Sequence, residues 1–270
     1  MLKNNTCLIV NFWFGDRRRG PSIYNEDRLT YLKTQIEYLR LYQNNLKTIY
    51  FNFNVETEHY NLLNKALKLT PKYINGSEVI TNIRENKGFS YGAWNDITLK
   101  EIENYEYFIF NEDDYFFTQD NWDSYLINKY NSKENVGYLS MGVRSYPNNP
   151  YNRYVFHSVG ISSTNTLKKI INKFGGLINY SPREGNNYKN GEALQDIWGS
   201  LYSKVGLINY DIREDYQVEF ALTDRPQDIW RLWDWNNNIL IKSAITILQP
   251  HYTWFKSFDE EYQKEYKFEN

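Results

Sequence analysis

The chain of 270 residues carries 31 Lys and Arg against 33 Asp and Glu, a formal net charge of -2, which excludes a general electrostatic attraction to nucleic acid or an anionic membrane. Its one cysteine, Cys7, excludes an internal disulfide framework and fits a reducing, cytoplasmic setting. No run approaches the ~20 apolar residues of a spanning helix, so neither an anchor nor a signal peptide is expected; the length suffices for one large α/β domain that folds without a metal or disulfide staple.

In chain order, Thr6 to Phe14 is predicted as a buried strand, short, apolar and closed by Gly15-Asp16. After a basic loop, Leu29, Leu32, Ile36, Leu39 and Tyr42 recur at three- and four-residue spacing and predict a helix within Asn25 to Tyr42. Leu46 to Val55 reads as a second strand, Glu56 to Leu69 as a helix ended by Thr70-Pro71, and Glu78 to Arg84 as a third strand. This β-α-β-α-β order implies a parallel sheet with its strand carboxyl ends gathered along one edge, where open α/β sheets bind ligands. Gly92 to Ile102 is predicted helical, and Tyr105 to Phe110, the most apolar strand, runs into Asn111-Glu112-Asp113-Asp114. Beyond it come a helix over Asn121 to Tyr130, a strand over Val136 to Val143, a Pro/Asn-rich loop, a strand over Phe156 to Ser163, and helices over Thr164 to Phe174 and Glu192 to Val205. Ile239 to Leu248 is strand-like. Without repeats or a long linker, one domain is expected over 1–270.

The acidic junction carries the most chemistry. Side chains alternate along Phe110-Asn-Glu-Asp-Asp-Tyr115, so Glu112 and Asp114 are expected to face one side and Asp113 the other. Two like charges this close are unfavourable without a cation, and hard oxygen ligands with open positions suit Mg²⁺ or Mn²⁺ bridging a diphosphate; a solvated acidic turn is the plainer alternative. Upstream, Gly88 and Gly92 permit close backbone approach, and the amides that open the following helix offer donors to an anion or a ribose, or simply a helix cap. Tyr 25, Phe 15 and Trp 8 make the chain 18% aromatic, which together with many asparagines suits sugar recognition and equally suits a residue bias spread over the whole chain.

At these residues the chain resembles the GT-A glycosyltransferases, which move a sugar from a nucleotide diphosphate donor to an acceptor hydroxyl. Glu112-Asp113-Asp114 is similar to their acidic Asp-x-Asp signature, with Glu in the first position, and Arg84-Glu-Asn-Lys-Gly-Phe-Ser-Tyr-Gly-Ala-Trp-Asn95 is similar to the Arg/Asn/Gly turn of family-2-like members that lies against the donor nucleoside. The resemblance implies a GT-A, Rossmann-like sheet, mixed but mainly parallel and flanked by helices. Its nucleotide-sugar half would occupy about 1–117, and its acceptor half about 118–270. It implies Mn²⁺ or Mg²⁺ on Glu112, Asp114 and a late histidine, His251. It further implies a UDP-, GDP- or dTDP-linked donor held by Trp13, Phe14, Asp16, Asn54 or Glu56, Arg84, Asn86, Gly88, Tyr91, Gly92 and Asp113.

An inverting transfer to a glycan or other hydroxyl acceptor also needs a base, and the resemblance points to Asp196 or Glu192, four apart in the helix after Gly191. Arg17, Arg18 and Arg19 offer diphosphate contacts or a solvated surface. Trp198, Trp230, Trp233, Trp235 and Trp254 offer a sugar-stacking wall or core. His157 suits a structural or acceptor contact, and His59 the surface. Rival readings are a nucleotidyltransferase, which lacks its Gly-rich, Lys-containing phosphate loop here, and a carbohydrate-binding module with a Ca²⁺-bound acidic turn.

Overall fold

The computed structural model describes residues 4–14, 28–55, 59–140, 143–146, 149–155, 159–178, 191–212 and 241–243, of which 28, 143–146, 149–155, 191–196, 211 and 241–243 are described by their backbone alone. The first half runs β1 (Asn4–Phe14), α1 (Arg28–Leu41), β2 (Leu46–Val55), α2 (Tyr60–Leu69), β3 (Tyr73–Ile74), β4 (Ser77–Glu85), α3 (Phe89–Glu101), β5 (Tyr107–Glu112) and β6 (Tyr115–Phe117). The second half runs α4 (Trp122–Asn131), β7 (Val136–Ser140), β8 (Val143–Tyr146), β9 (Asn149–Val155), β10 (Gly160–Ser163), α5 (Thr164–Phe174), α6 (Gly191–Lys204), β11 (Ile208–Asp211) and β12 (Ile241–Ser243). No helix among the described residues is long and apolar enough to cross a membrane.

Eight strands form one sheet in the order β11-β7-β10-β5-β1-β2-β4-β3. β5, β1, β2 and β4 are parallel neighbours, while β10 enters antiparallel between β5 and β7 and β3 is antiparallel to β4. The mixed, mainly parallel sheet flanked by helices is therefore as expected. From β1 the chain builds outward through β2 and β4, then α3 carries it back to β5 on the other flank of β1. The direction of strand addition thus reverses at the β1–β5 boundary, which makes it a topological switch point, the place where open α/β sheets bind ligands at their carboxyl edge.

Strand alternation divides the side chains between two cores. Leu8, Val10, Phe12 and Phe14 pack with Ile49, Phe51, Phe53 and Val55 beneath α1, α2 and α4. Cys7, Ile9, Tyr50, Phe108 and Phe110 pack beneath α3, α5 and α6, around Trp94 and Trp198. Helix α6 runs down this second face against the strand direction. Its Trp198 ring lies 5.2 Å from Phe110 near the carboxyl end of β5, and its Tyr202 ring lies 5.3 Å from Tyr138, beside Gly137 at the amino end of β7. The amino end of α6 therefore points to the carboxyl edge.

Several boundaries differ from the sequence expectations. Asn75-Gly76, both at positive φ (49° and 76°), turns β3 into β4 as a tight hairpin, so the acidic strand is the fifth in the chain rather than the fourth. Helix α3 starts three residues before Gly92, behind a left-handed Gly88 (φ 78°). β5 continues through Asn111 to Glu112, and the predicted single strand over Val136 to Val143 divides into β7 and β8, the latter paired, among the described residues, with β9 alone. The residues of the expected Pro/Asn-rich loop instead join that β8–β9 ribbon on either side of 147–148.

Candidate functional site

On the face covered by α3, the strands change character together as they approach the carboxyl edge. Ile9 is followed two residues on by Asn11, Tyr50 by Asn52 and Asn54, Ile80 by Asn82 and Arg84, and Phe110 by Glu112. Register places these residues side by side: Asn11 is paired with both Asn52 and Glu112, Asn52 with Asn82, and Asn54 with Arg84. Asparagine has low strand propensity, so four of them in adjacent strands hold their place through their amides.

The amides form one buried network. Asn11 Oδ1 accepts from Asn52 Nδ2 at 2.6 Å and from Asn54 Nδ2 at 2.8 Å. Asn82 Nδ2 donates to Asn52 Oδ1 at 2.6 Å, and Asn52 Nδ2 also donates to Asn54 Oδ1 at 3.2 Å. Asn11 Nδ2 donates to Ser90 Oγ at 2.9 Å, and the Ser90 hydroxyl donates to Glu112 Oε1 at 2.7 Å. At the far end, Arg84 donates from Nη1 to Asn54 Oδ1 at 3.0 Å, from Nη2 to the Lys87 carbonyl at 2.8 Å, and from Nε to Asp96 Oδ2 at 3.1 Å. Arg84, its side chain 12% exposed, thereby ties the Glu85-to-Gly88 turn to β2 and α3.

The acidic residues follow directly. Strand alternation stops at Glu112, and Asp113-Asp114 form the turn into β6, so the expected split of Glu112 and Asp114 to one side and Asp113 to the other does not extend past the strand. Asp113 Oδ2 accepts from the Trp13 backbone amide at 3.4 Å, which ties the turn to the end of β1 across the switch point. Asn111 braces the turn from beneath, donating to the Tyr115 carbonyl at 2.9 Å. β12 pairs antiparallel with β6, with Ser243 opposite Tyr115, one residue past Asp114. Glu112, Asp113 and Asp114 are half-buried. Tyr138 lies in the apolar layer beneath; burial pushes its phenol well above the ordinary range, and Tyr91 and the Glu112 charge add to the shift.

Among the described residues no group of three or more His, Cys, Asp or Glu side chains gathers as a metal cage. The all-oxygen donor set still suits Mg²⁺ or Mn²⁺, because such ions keep several waters and commonly take one or two carboxylates plus substrate phosphates.

The expected site residues divide into distinct groups. Glu112, Asp113, Asp114, Trp13, Arg84, Asn86 and Gly88 come together at the carboxyl edge. Asn54, expected to read a base edge, is wholly buried with its amide engaged by Arg84, Asn11 and Asn52. Phe14 lies in the opposite core, stacked 5.4 Å from Phe53, because an even-numbered position on β1 faces α1. Tyr91 packs against Trp94 and Trp198, which makes Trp198 core rather than wall. Gly92 sits inside the first helical turn, and its amide is used by the Gly88 carbonyl at 2.8 Å; the residues whose amides open α3 are Phe89, Ser90 and Tyr91. Glu192 and Asp196 lie on the edge-pointing end of α6. Asp16, Arg17, Arg18, Arg19, Glu56, His157, Trp230, Trp233, Trp235, His251 and Trp254 lie outside the described residues. Sequence reasoning missed Asn11, Asn52, Asn82, Ser90 and Asp96; the available signal was asparagine at alternate positions of otherwise apolar strands.

No family model and no curated protein matches the sequence. Among solved structures, the chain is similar to a cytidylyltransferase from Leptospira borgpetersenii serovar Hardjo-bovis, at 13% identity over 70% of this chain and 73% of that one, with a TM-score of 0.40. It is similar to the glycosyltransferase GlyE in Streptococcus pneumoniae TIGR4, at 13% identity over 98% of this chain and 64% of that one, with a TM-score of 0.48. A protein from Aquifex aeolicus VF5, Aq1419, shares 17% identity over 78% of this chain and 89% of its own, with a TM-score of 0.35. With all three scores below 0.5, nothing about this chain's chemistry follows from them.

Proposed function

We propose that the chain is a metal-dependent glycosyltransferase of the GT-A type that binds a nucleotide-diphosphate sugar across the carboxyl ends of β4, β2, β1 and β5 and passes the sugar to an acceptor hydroxyl, with inversion. The observation that carries this reading is the replacement of an apolar sheet face by a connected amide, guanidinium and carboxylate rank at the topological switch point, beside an acidic turn. A purely structural sheet end has no need of six strand-borne polar side chains joined, with Ser90, in one network. In this reading the nucleoside lies along the Arg84-to-Gly88 turn and the diphosphate beside Asp113 and Asp114, close to the amides that open α3. Glu112 and Asp114, with His251, would hold Mn²⁺ or Mg²⁺, which when bound offsets the charge of the departing nucleoside diphosphate.

Asp196, or Glu192 one turn earlier, removes the acceptor's proton from the edge-pointing end of α6. Attack of that acceptor oxygen on the anomeric carbon forms the new glycosidic bond as the sugar–phosphate bond breaks, and the nucleoside diphosphate leaves with the bond's electron pair.

The test is nucleotide release from UDP-, GDP- and dTDP-sugars together with calorimetric binding of the three nucleoside diphosphates in Mn²⁺. Wild-type protein should bind one of them and release it during turnover, and Asp114→Ala should lower both by about a hundredfold or more while leaving the fold intact. Release of pyrophosphate in place of a nucleoside diphosphate would instead identify nucleotidyl transfer, and full turnover by Asp114→Ala in chelator would overturn the metal assignment.

A further inference from the structure

The network at the carboxyl edge has a direction that its two ends impose. A guanidinium only donates and a carboxylate only accepts, so the Asn54 oxygen must face Arg84, which turns the Asn54 nitrogen toward Asn11. That in turn orients the Asn11 oxygen toward Asn54 and its nitrogen toward Ser90, and leaves the Ser90 proton for Glu112. The bonds Arg84→Asn54 (3.0 Å), Asn54→Asn11 (2.8 Å), Asn11→Ser90 (2.9 Å) and Ser90→Glu112 (2.7 Å) run head to tail from a cation on β4 to an anion on β5. Asn54, Asn11 and Ser90 are 0%, 4% and 8% exposed, so the two inner links are shielded from water, and each bond polarises the next.

We propose that Asn54, Asn11 and Ser90 are positioning residues that lock the Arg84 turn and Glu112 into one unit, pre-organised for a ligand that spans both, namely a nucleoside diphosphate with its nucleoside at the turn and its phosphates at the acidic end. This deepens the reading given above and rests on it for the identity of the ligand, not for the existence of the relay. Pre-organisation lowers the ordering cost of binding, and the relay supplies it from side chains that need not touch the ligand themselves. Arg84 is correspondingly an anchor: Asp96 and the Lys87 carbonyl hold it from behind.

The relay is tested without nucleotide by the side-chain amide NMR signals of protein labelled with ¹⁵N-asparagine. Asn54 bonds to neither Ser90 nor Glu112, yet Ser90→Ala and Glu112→Gln should both shift its Nδ2 protons and raise their exchange rate, and Ser90→Thr, which keeps a hydroxyl, should restore them. An Asn54 signal that ignores both changes overturns the relay. In the same preparations, Ser90→Ala should weaken binding of whichever of UDP, GDP or dTDP the wild type takes up with Mn²⁺ by about tenfold, and Ser90→Thr should recover it. Undiminished binding by Ser90→Ala overturns the positioning role. If the wild type binds none of the three, the function proposed above fails, and the amide signals alone decide whether the relay exists.

Discussion

The same four strands present two different faces. Toward α1, α2 and α4 the central strands β1 and β2 stay apolar to their last residues, Phe14 and Val55, while β5 ends on that side in Asn111 and β4 carries Thr81 and Glu85. Toward α3 they are apolar only in their lower part and then polar, and the change falls at the same level in each strand: Asn11, Asn52, Asn82 and Glu112. Twist, register and strand length are common to both faces, so what separates them is side-chain chemistry alone. Along β1 and β2 one face fills its carboxyl ends by packing, and the other by a polar rank whose hydrogen bonds are met within it. The lesson is that a site in this architecture is a substitution pattern laid over a sheet that would stand without it.

The largest effect should come from making the apolar face resemble its opposite. Phe53 is fully buried, with Phe12 and Phe14 rings each 5.4 Å away. Phe53→Asn removes that packing, worth about 3–5 kcal/mol for a large-to-small change, and strands an amide without partners, at about 1–3 kcal/mol more. Urea unfolding should show a loss of at least about 4 kcal/mol. A loss below about 1 kcal/mol would mean that the two faces are interchangeable, and the contrast would break.

Much of this division was legible from the sequence, for reasons that differ by region. β2 and α5 match their predicted limits, Leu46–Val55 and Thr164–Phe174. β2 is a long apolar run; α5 opens with the Ser163 cap, whose hydroxyl accepts from the Thr166 amide, and closes on Gly175 in a left-handed conformation. The Glu112 junction was found because Asn111-Glu112-Asp113-Asp114, directly after the apolar Tyr107-Phe-Ile-Phe110, contradicts its surroundings. Asn11, Asn52 and Asn82 were not, because a chain rich in asparagine makes each one look unremarkable and because their partners sit on elements that only folding brings together: Asn11 and Ser90 are 79 residues apart. The Asn75-Gly76 hairpin did carry a readable turn signal, and its neighbouring β3, two residues long, was too short to show a period. Position was readable where contacts were not: Asn54 and Arg84 were placed at the right edge, but their bonds to each other, to Asn11 and to the Lys87 carbonyl depend on packing that no local pattern encodes.

A smaller effect comes from the reverse exchange. Asn11→Leu is close in volume and adds apolar surface, so on an ordinary sheet face it would stabilise. Here it leaves the Asn52 and Asn54 amides without their acceptor and Ser90 without a donor behind it, and the unmet desolvation of buried amides should exceed the gain, for a net loss of about 1–3 kcal/mol. Because Asn52 and Asn54 retain a bond to each other, the loss should remain below that of Phe53→Asn. A stabilised Asn11→Leu would show that the polar rank is an incidental enrichment and would remove the distinction between the faces.

The faces should also differ in alkali. Burial raises Cys7, Tyr50, Tyr105, Tyr138 and Tyr202 above their ordinary values, all of them in the core beneath α3, α5 and α6, whereas on α1 at the other face it raises Tyr38. A group that keeps its proton in the fold but loses it in the unfolded chain makes the unfolded state the poorer proton binder, so stability falls as pH rises. The contribution is complete below the unfolded values, 9.0 for Cys7 and 10.0 for the tyrosines, and is lost progressively above them. Each such group steepens the decline by about 1.4 kcal/mol per pH unit once the unfolded chain has ionised. Tyr138 isolates one of them, since its hydroxyl has no hydrogen-bond partner among the described residues and Tyr138→Phe removes the titration without breaking a bond. Urea midpoints should therefore stay level up to about pH 9 and then drop, less steeply in Tyr138→Phe. An identical slope in that variant would place the alkaline weakness on some other group and take from the site-bearing face its distinctive response.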